Sequence, residues 1–388
     1  MRTPTPHWLT CGFRPFFFLG ALAMATGVLL WLPMLTGHLN LPTAFAPRDW
    51  HVHTMLFGAM FAIIGGFALT AVSNWTGRPP VQGRELLFLV TVWCLGRVAT
   101  ATSAAIGPLP AALVDLAFPA ALVWVFAREV LRGGSSHNFM IVATVALLGL
   151  TDAAFHYEAL ALGYAYYSTH AAVSIILMLV ILIGGRLVPN FSRNWLRNRG
   201  AANLPPAFNR FDAATTGVSL LALIAWTVFP LATATAALLL VAGGFNTVRV
   251  ARWQGWRTTA EPLLAVLHVG YATVPLGFFL VGYALLVPST LDPVAALHCW
   301  LVGTFGTMTL GVMTRAARGH TGRPLTANRR DVAIYALALA GATARIAAPF
   351  ADGGFHLALD LAGSLWIAAF LGYAACYAPV LLGKPRQS

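Results

Sequence analysis

Two histidines of this 388-residue chain occupy the same place in two copies of one segment. His53 precedes Thr76-Gly77-Arg78-Pro79 by 23 positions (76 − 53), and His298 precedes Thr321-Gly322-Arg323-Pro324 by the same 23 (321 − 298). Asp115 and Asp360 each follow the glycine of that turn by 38 positions (115 − 77, 360 − 322). An offset of 245 therefore aligns the copies without a gap, and also pairs Gly58 with Gly303 and Gly66 with Gly311. The copies run over 50–131 and 295–376. A weaker one lies around 164–196, where His170 precedes Gly184-Gly185 by the 14 positions that separate His51 from Gly65-Gly66. Such repeats set the architecture before any local reading. Imidazoles at equivalent places in a very apolar chain point to a bound metal or haem, since both take imidazole nitrogen.

The elements that carry these residues are membrane helices. The chain is 58% hydrophobic and 9% charged, with a mean hydropathy of +0.74, which excludes an ordinary soluble domain. Segments of ~20 apolar residues cross a bilayer as helices. Twelve are predicted, over 14–35, 49–73, 84–104, 109–131, 138–160, 164–186, 212–230, 232–250, 262–287, 292–315, 330–349 and 355–382. The whole chain, 1–388, thus reads as a single all-α polytopic membrane domain. Of its 24 basic residues, all but Arg48, Arg97 and Arg345 fall on one side of this helix order. Basic short connections stay in the cytoplasm. Both termini are therefore expected on the cytoplasmic side of a bacterial inner membrane. The net charge of +12 then reflects topology and contact with anionic headgroups of the lipid bilayer, not nucleic acid. The first apolar run is too long for a signal-peptide core and reads as a retained helix. Cys11, Cys94, Cys299 and Cys376 are far apart and form no CxxC pair, so neither disulfides nor a structural zinc site is indicated.

Helical rise of ~1.5 Å per residue converts position into depth. His51 and His53 open the second helix, His156 ends the fifth, His170 begins the sixth and His298 begins the tenth. These five imidazoles are expected at one level, ~5–12 Å below the outer surface, and are the metal candidates. Polar side chains at such depth normally face the bundle interior. His51 and His53 are two apart, about 200° of helical rotation, so they suit two different centres. His268, near the cytoplasmic end of the ninth helix, is a cofactor candidate away from that level. His38, His137 and His356 read as interfacial, and His320 as capping the turn that follows it. Arg97 and Arg345 sit in apolar helices, and under the offset Arg97 maps to Ala342, one helical turn before Arg345. They suit the propionates of a haem, or ion pairs with Asp115 and Asp360. Asp152 lies four residues before His156 and could fix its tautomer.

Histidines on the second, sixth and tenth helices give a period of four helices. Three four-helix units in a pseudo-threefold ring would resemble the catalytic subunit of haem–copper oxidases and nitric oxide reductases. Those enzymes also carry a histidine pair on the seventh helix, which is missing here, and their HxH on the tenth helix appears here on the second. A closer resemblance rests on Phe13-Arg14-Pro15-Phe16-Phe17, Trp50-His51-Val52-His53-Thr54-Met55-Leu56-Phe57-Gly58, Ala71-Val72-Ser73-Asn74-Trp75-Thr76-Gly77, Gly184-Gly185-Arg186-Leu187-Val188-Pro189, Thr307-Met308-Thr309-Leu310-Gly311-Val312-Met313-Thr314-Arg315 and Gly319-His320-Thr321-Gly322-Arg323-Pro324. Together these resemble the NnrS family of haem- and copper-containing membrane proteins linked to nitric oxide metabolism. Thr54 departs from that pattern, in which an acidic residue is usual. The resemblance implies one or two haem b groups and copper, and a protein that binds or turns over nitric oxide, with oxidoreductase activity left open. His53 and His298 would be axial haem ligands, His51 would serve a second centre, and His170 and His156 would suit copper. A twelve-helix secondary transporter, with a basic loop of about 25 residues after the sixth helix, is the alternative, as is haem or copper delivery. A transporter of that kind repeats every six helices, whereas the visible period is four.

Overall fold

A segment surrounded by hydrocarbon must satisfy its backbone N–H and C=O groups internally, which selects helices. The computed structural model describes residues 5–134, 139–351 and 353–383; His137, Arg2, Lys384 and Arg386 lie outside them. Thirteen helices form among the described residues. The twelve long ones are labelled α1 (Phe13–Leu35), α2 (Pro47–Thr76), α3 (Arg84–Ala101), α4 (Pro108–Arg132), α5 (Phe139–Ala161), α6 (Tyr167–Arg197), α7 (Arg210–Val228), α8 (Thr233–Arg252), α9 (Pro262–Leu286), α10 (Pro293–Gly319), α11 (Arg329–Phe350) and α12 (Phe355–Leu381). The thirteenth is the single turn Ser103–Ile106.

Eleven of these helices are long and apolar enough to cross a membrane. The exception among the long helices is α3, which forms over the expected stretch but carries Arg84, Glu85 and Arg97 within its 18 residues. Helix α6 runs eleven residues past its expected end (197 − 186), into the stretch read as a basic loop. Its extension is amphipathic: Val188, Pro189, Ser192 and Leu196 are buried while Arg186 and Arg197 are exposed. The helices group into two compact units.

The first unit comprises Met1–Ala172 with Phe370–Ser388. Within it α1 packs closely on α2 through small residues: a Cβ on Gly66 would lie 2.6 Å from the Phe16 Cβ. Helix α3 lies along α4, and α4 along α5. The start of α6 is tied to α2, because the buried Asp49 carboxylate accepts from the Ala165 N–H at 3.2 Å. Glu158 accepts from the Tyr166 N–H at 2.7 Å and the Ser168 hydroxyl at 2.8 Å, so it caps the first turn of α6.

The second unit, Val173–Ala369, is organised by capped helix starts and buried ion pairs. Asn209 with Asp212, and Asn328 with Asp331, form capping boxes at α7 and α11. Arg249, with no exposed surface, donates from Nε to Asp212 Oδ1 at 3.1 Å and from Nη1 to the Tyr271 hydroxyl at 3.2 Å.

Helices α2, α6 and α10 each contain a π-helical segment, over Thr54–Met60, Val180–Gly184 and Cys299–Gly306. In two of them it starts directly after the repeated histidine, His53 or His298, and the 245-residue offset carries 54–60 onto 299–305. Gly77, the residue after α2, and Gly322, in the turn three residues past α10, are also 245 apart and have φ of 67° and 68°, a conformation that glycine adopts without strain. A π turn changes which face the helix presents on either side of it, and such turns recur at functional sites.

Candidate metal centre

Four ionisable side chains meet inside the first unit. Helix α2 supplies His53, α4 supplies Asp115, and α5 supplies Asp152 and His156. His53 and Asp115 lie near the starts of their helices, and Asp152 and His156 in the last turns of theirs, so an up-and-down packing brings all four to one end. They are only 0%, 1%, 1% and 5% exposed, in that order, a burial that isolated charges would not tolerate.

The contacts converge on the imidazole Nε2 atoms. His53 Nε2 is 3.0 Å from Asp115 Oδ2 and 3.0 Å from Asp152 Oδ1. His156 Nε2 is 3.1 Å from Asp115 Oδ2 and 3.9 Å from Asp152 Oδ1. The other oxygen of Asp115 accepts from Nη2 of Arg97 on α3. Phe45, Phe57 and Phe155 surround the imidazoles, with ring centroids 5.3, 5.4 and 5.4 Å from that of His53. His53 Nδ1 is buried and makes no hydrogen bond.

This donor set fits a divalent transition metal. Bonds of ~2.0–2.2 Å in a tetrahedral site put neighbouring ligand atoms ~3.3–3.6 Å apart. The four groups offer one donor atom each, all within 4.8 Å of one another. Two imidazoles and two carboxylates suit copper(II), zinc or iron(II), and lack the soft sulfur that selects copper(I). A haem on His53 does not fit this packing. Its Nε2 faces two carboxylates, and its ring is flanked by the three phenylalanines and, at 4.9 Å, by the His156 ring.

The other residues singled out by sequence lie elsewhere. His51 turns away from the four groups and stacks on Trp31 of α1, with centroids 4.2 Å apart. His170 Nδ1 donates to the Tyr166 carbonyl at 2.8 Å. His298, half-buried in the second unit, donates from Nδ1 to the Val294 carbonyl at 2.6 Å. A carbonyl only accepts, so in both neutral rings the lone pair is on Nε2. His268 pairs through Nε2 with the Ser192 hydroxyl at 2.7 Å. Arg345 is half-buried in the second unit with Asp292 as a neighbouring charge, and Asp360 is exposed. Of the two roles open to Arg97, the aspartate pair is the one formed.

Asp115 and Asp152 hold more of the site than their spacing along the chain indicates, which places Asp115 beside Arg97 and Asp152 beside His156 within α5. Both also face His53, and His156 is nearer to Asp115 than to Asp152. The available signal was an aspartate alone in an apolar helix, a placement that is costly without a partner.

No curated protein matches the sequence. Residues 7–386 match the NnrS protein family, so this multi-pass membrane chain, with its buried His–Asp cluster, belongs to the NnrS family.

Proposed function

We propose that this protein is a membrane-embedded metal protein of nitric oxide metabolism, with His53, His156, Asp115 and Asp152 as ligands of one divalent transition-metal ion. Copper is the metal that the family resemblance implies. The convergence of both Nε2 atoms on two buried carboxylates carries the reading. When bound, the ion supplies a redox-capable Lewis acid at which a small nitrogen oxide can coordinate. Arg97 holds Asp115 through one oxygen and leaves the other turned to the imidazoles. Phe45, Phe57 and Phe155 keep the surroundings apolar, which favours an uncharged ligand such as nitric oxide arriving through lipid. A haem, where the family resemblance implies one, would draw on imidazoles outside the four-group cluster. His170 and His298 hold their Nδ1 protons on backbone carbonyls, the tautomer that ligation through Nε2 requires. With the basic connections cytoplasmic and α3 as a twelfth crossing, the cluster lies toward the outer side.

The test is spectroscopic. The full-length protein, purified in detergent and loaded with copper(II), is exposed anaerobically to nitric oxide. The copper electron paramagnetic resonance signal should change in the wild type, and no copper signal of this kind should form in His53→Ala. A bound-copper spectrum indifferent to nitric oxide contradicts the proposal.

A further inference from the structure

We infer that Arg97, together with the metal ion proposed above, forms a binding site for one small monovalent oxyanion of the nitrite class. This rests on the metal reading and extends it to a second ligand.

Arg97 carries more donors than its partners use. Nη2 is spent on Asp115 Oδ1, whereas Nε and Nη1 are buried and have no hydrogen-bond partner. A guanidinium is a planar fork of five N–H donors with no acceptor, a shape that matches planar oxyanions. The position facing Nη1 is Gly58, in the π segment of α2. A Cβ there would lie 2.6 Å from Nη1, so any side chain at this position would displace the guanidinium. The Gly58 carbonyl is itself used by the Trp93 indole N–H at 3.0 Å.

Charge selects the ligand. With neutral imidazoles, one guanidinium against two carboxylates leaves the cluster with one negative charge. A divalent ion converts this into one positive charge. A buried net charge is expensive, and a single monoanion removes it. A dianion would restore the imbalance with opposite sign. The three phenylalanines around the imidazoles favour a small ion. Nitrite meets these requirements: it is planar and monovalent, and it can reach both a metal and a guanidinium through two oxygens.

The experiment titrates sodium nitrite into the copper(II)-loaded full-length protein and follows the copper absorption and paramagnetic resonance spectra, with sodium chloride as the control. A saturable change specific to nitrite is expected in the wild type. In Arg97→Met, with copper still bound, nitrite affinity should fall roughly tenfold or more, the scale on which outer partners of metal sites act, and Arg97→Lys should recover part of it. Gly58→Ala keeps the arginine but displaces its guanidinium, and should also weaken nitrite when read on the copper-loaded fraction, which covers the case in which Arg97→Met fails to fold. Copper without a nitrite response, or unchanged nitrite affinity in both Arg97→Met and Gly58→Ala, overturns this inference alone. Absence of copper from the wild type overturns the metal reading and this inference with it.

Discussion

His53 and Asp152 are 99 positions apart in the chain, yet His53 Nε2 lies 3.0 Å from Asp152 Oδ1. The same nitrogen is 3.0 Å from Asp115 Oδ2, so one imidazole atom is shared by carboxylates from two other helices. One N–H cannot serve two acceptors at full strength, while a metal ion in its place would bond all four groups at once.

Removing a ligand should remove the metal. His53→Ala and His156→Ala should each abolish stoichiometric binding. Asp152→Asn, which keeps the shape but not the charge, should weaken it by more than the roughly tenfold to hundredfold that loss of an outer partner of a ligand costs. His51→Ala should leave it unchanged, because His51 stacks on Trp31 instead. Competition with a graded series of chelators measures all four variants.

Arg97→Met should destabilise the metal-free protein by about 3–5 kcal/mol, the usual consequence of leaving one partner of a buried ion pair unpaired. Asp115, 1% exposed, would then keep only the two imidazoles beside its charge. Loading with metal should recover part of the loss. Thermal unfolding in detergent, with and without metal, tests both statements; an equal loss in the two states contradicts the second.

The second unit offers a control. Arg249→Met takes the nearer cation from Asp212, 4% exposed, and leaves Arg252 at 3.8 Å, so it should also destabilise the protein, by less than the about 3–5 kcal/mol of a fully broken buried pair. Metal content per folded chain should not change, since every proposed ligand belongs to the first unit. A fall in metal content measured on the folded fraction would show that the ligand set is incomplete.

The helices were legible because apolar runs of membrane length leave the backbone few alternatives, and the expected and observed bounds of α9 and α12 differ by one residue at most. The extension of α6 was not, because Pro189 and the arginines beside it read as loop while the buried stripe of Val188, Ser192 and Leu196 is visible only once the helix packs. At the centre, His53 and His156 were legible as imidazoles in apolar helices. The separation of His51 from His53 was legible as about 200° of helical rotation, but the place of His170 and His298 was not, since a shared depth does not fix which way a ring turns. Repetition drew attention to His298, but the partners of His53 are Asp115 and Asp152. Those contacts depend on how α4 and α5 pack against α2, and no spacing along the chain encodes that. The π segments after His53 and His298 were likewise invisible to a reading based on the ordinary helical period.

Metal analysis of the purified full-length protein, beside a His53→Ala/Asp152→Asn double variant, tests the centre most directly. A buried site of two imidazoles and two carboxylates should hold about one divalent transition-metal ion per chain, and the folded variant should hold none of it. A folded wild type free of metal after loading, or an equal content in the two proteins, would mean that the four side chains form only a hydrogen-bonded ion cluster.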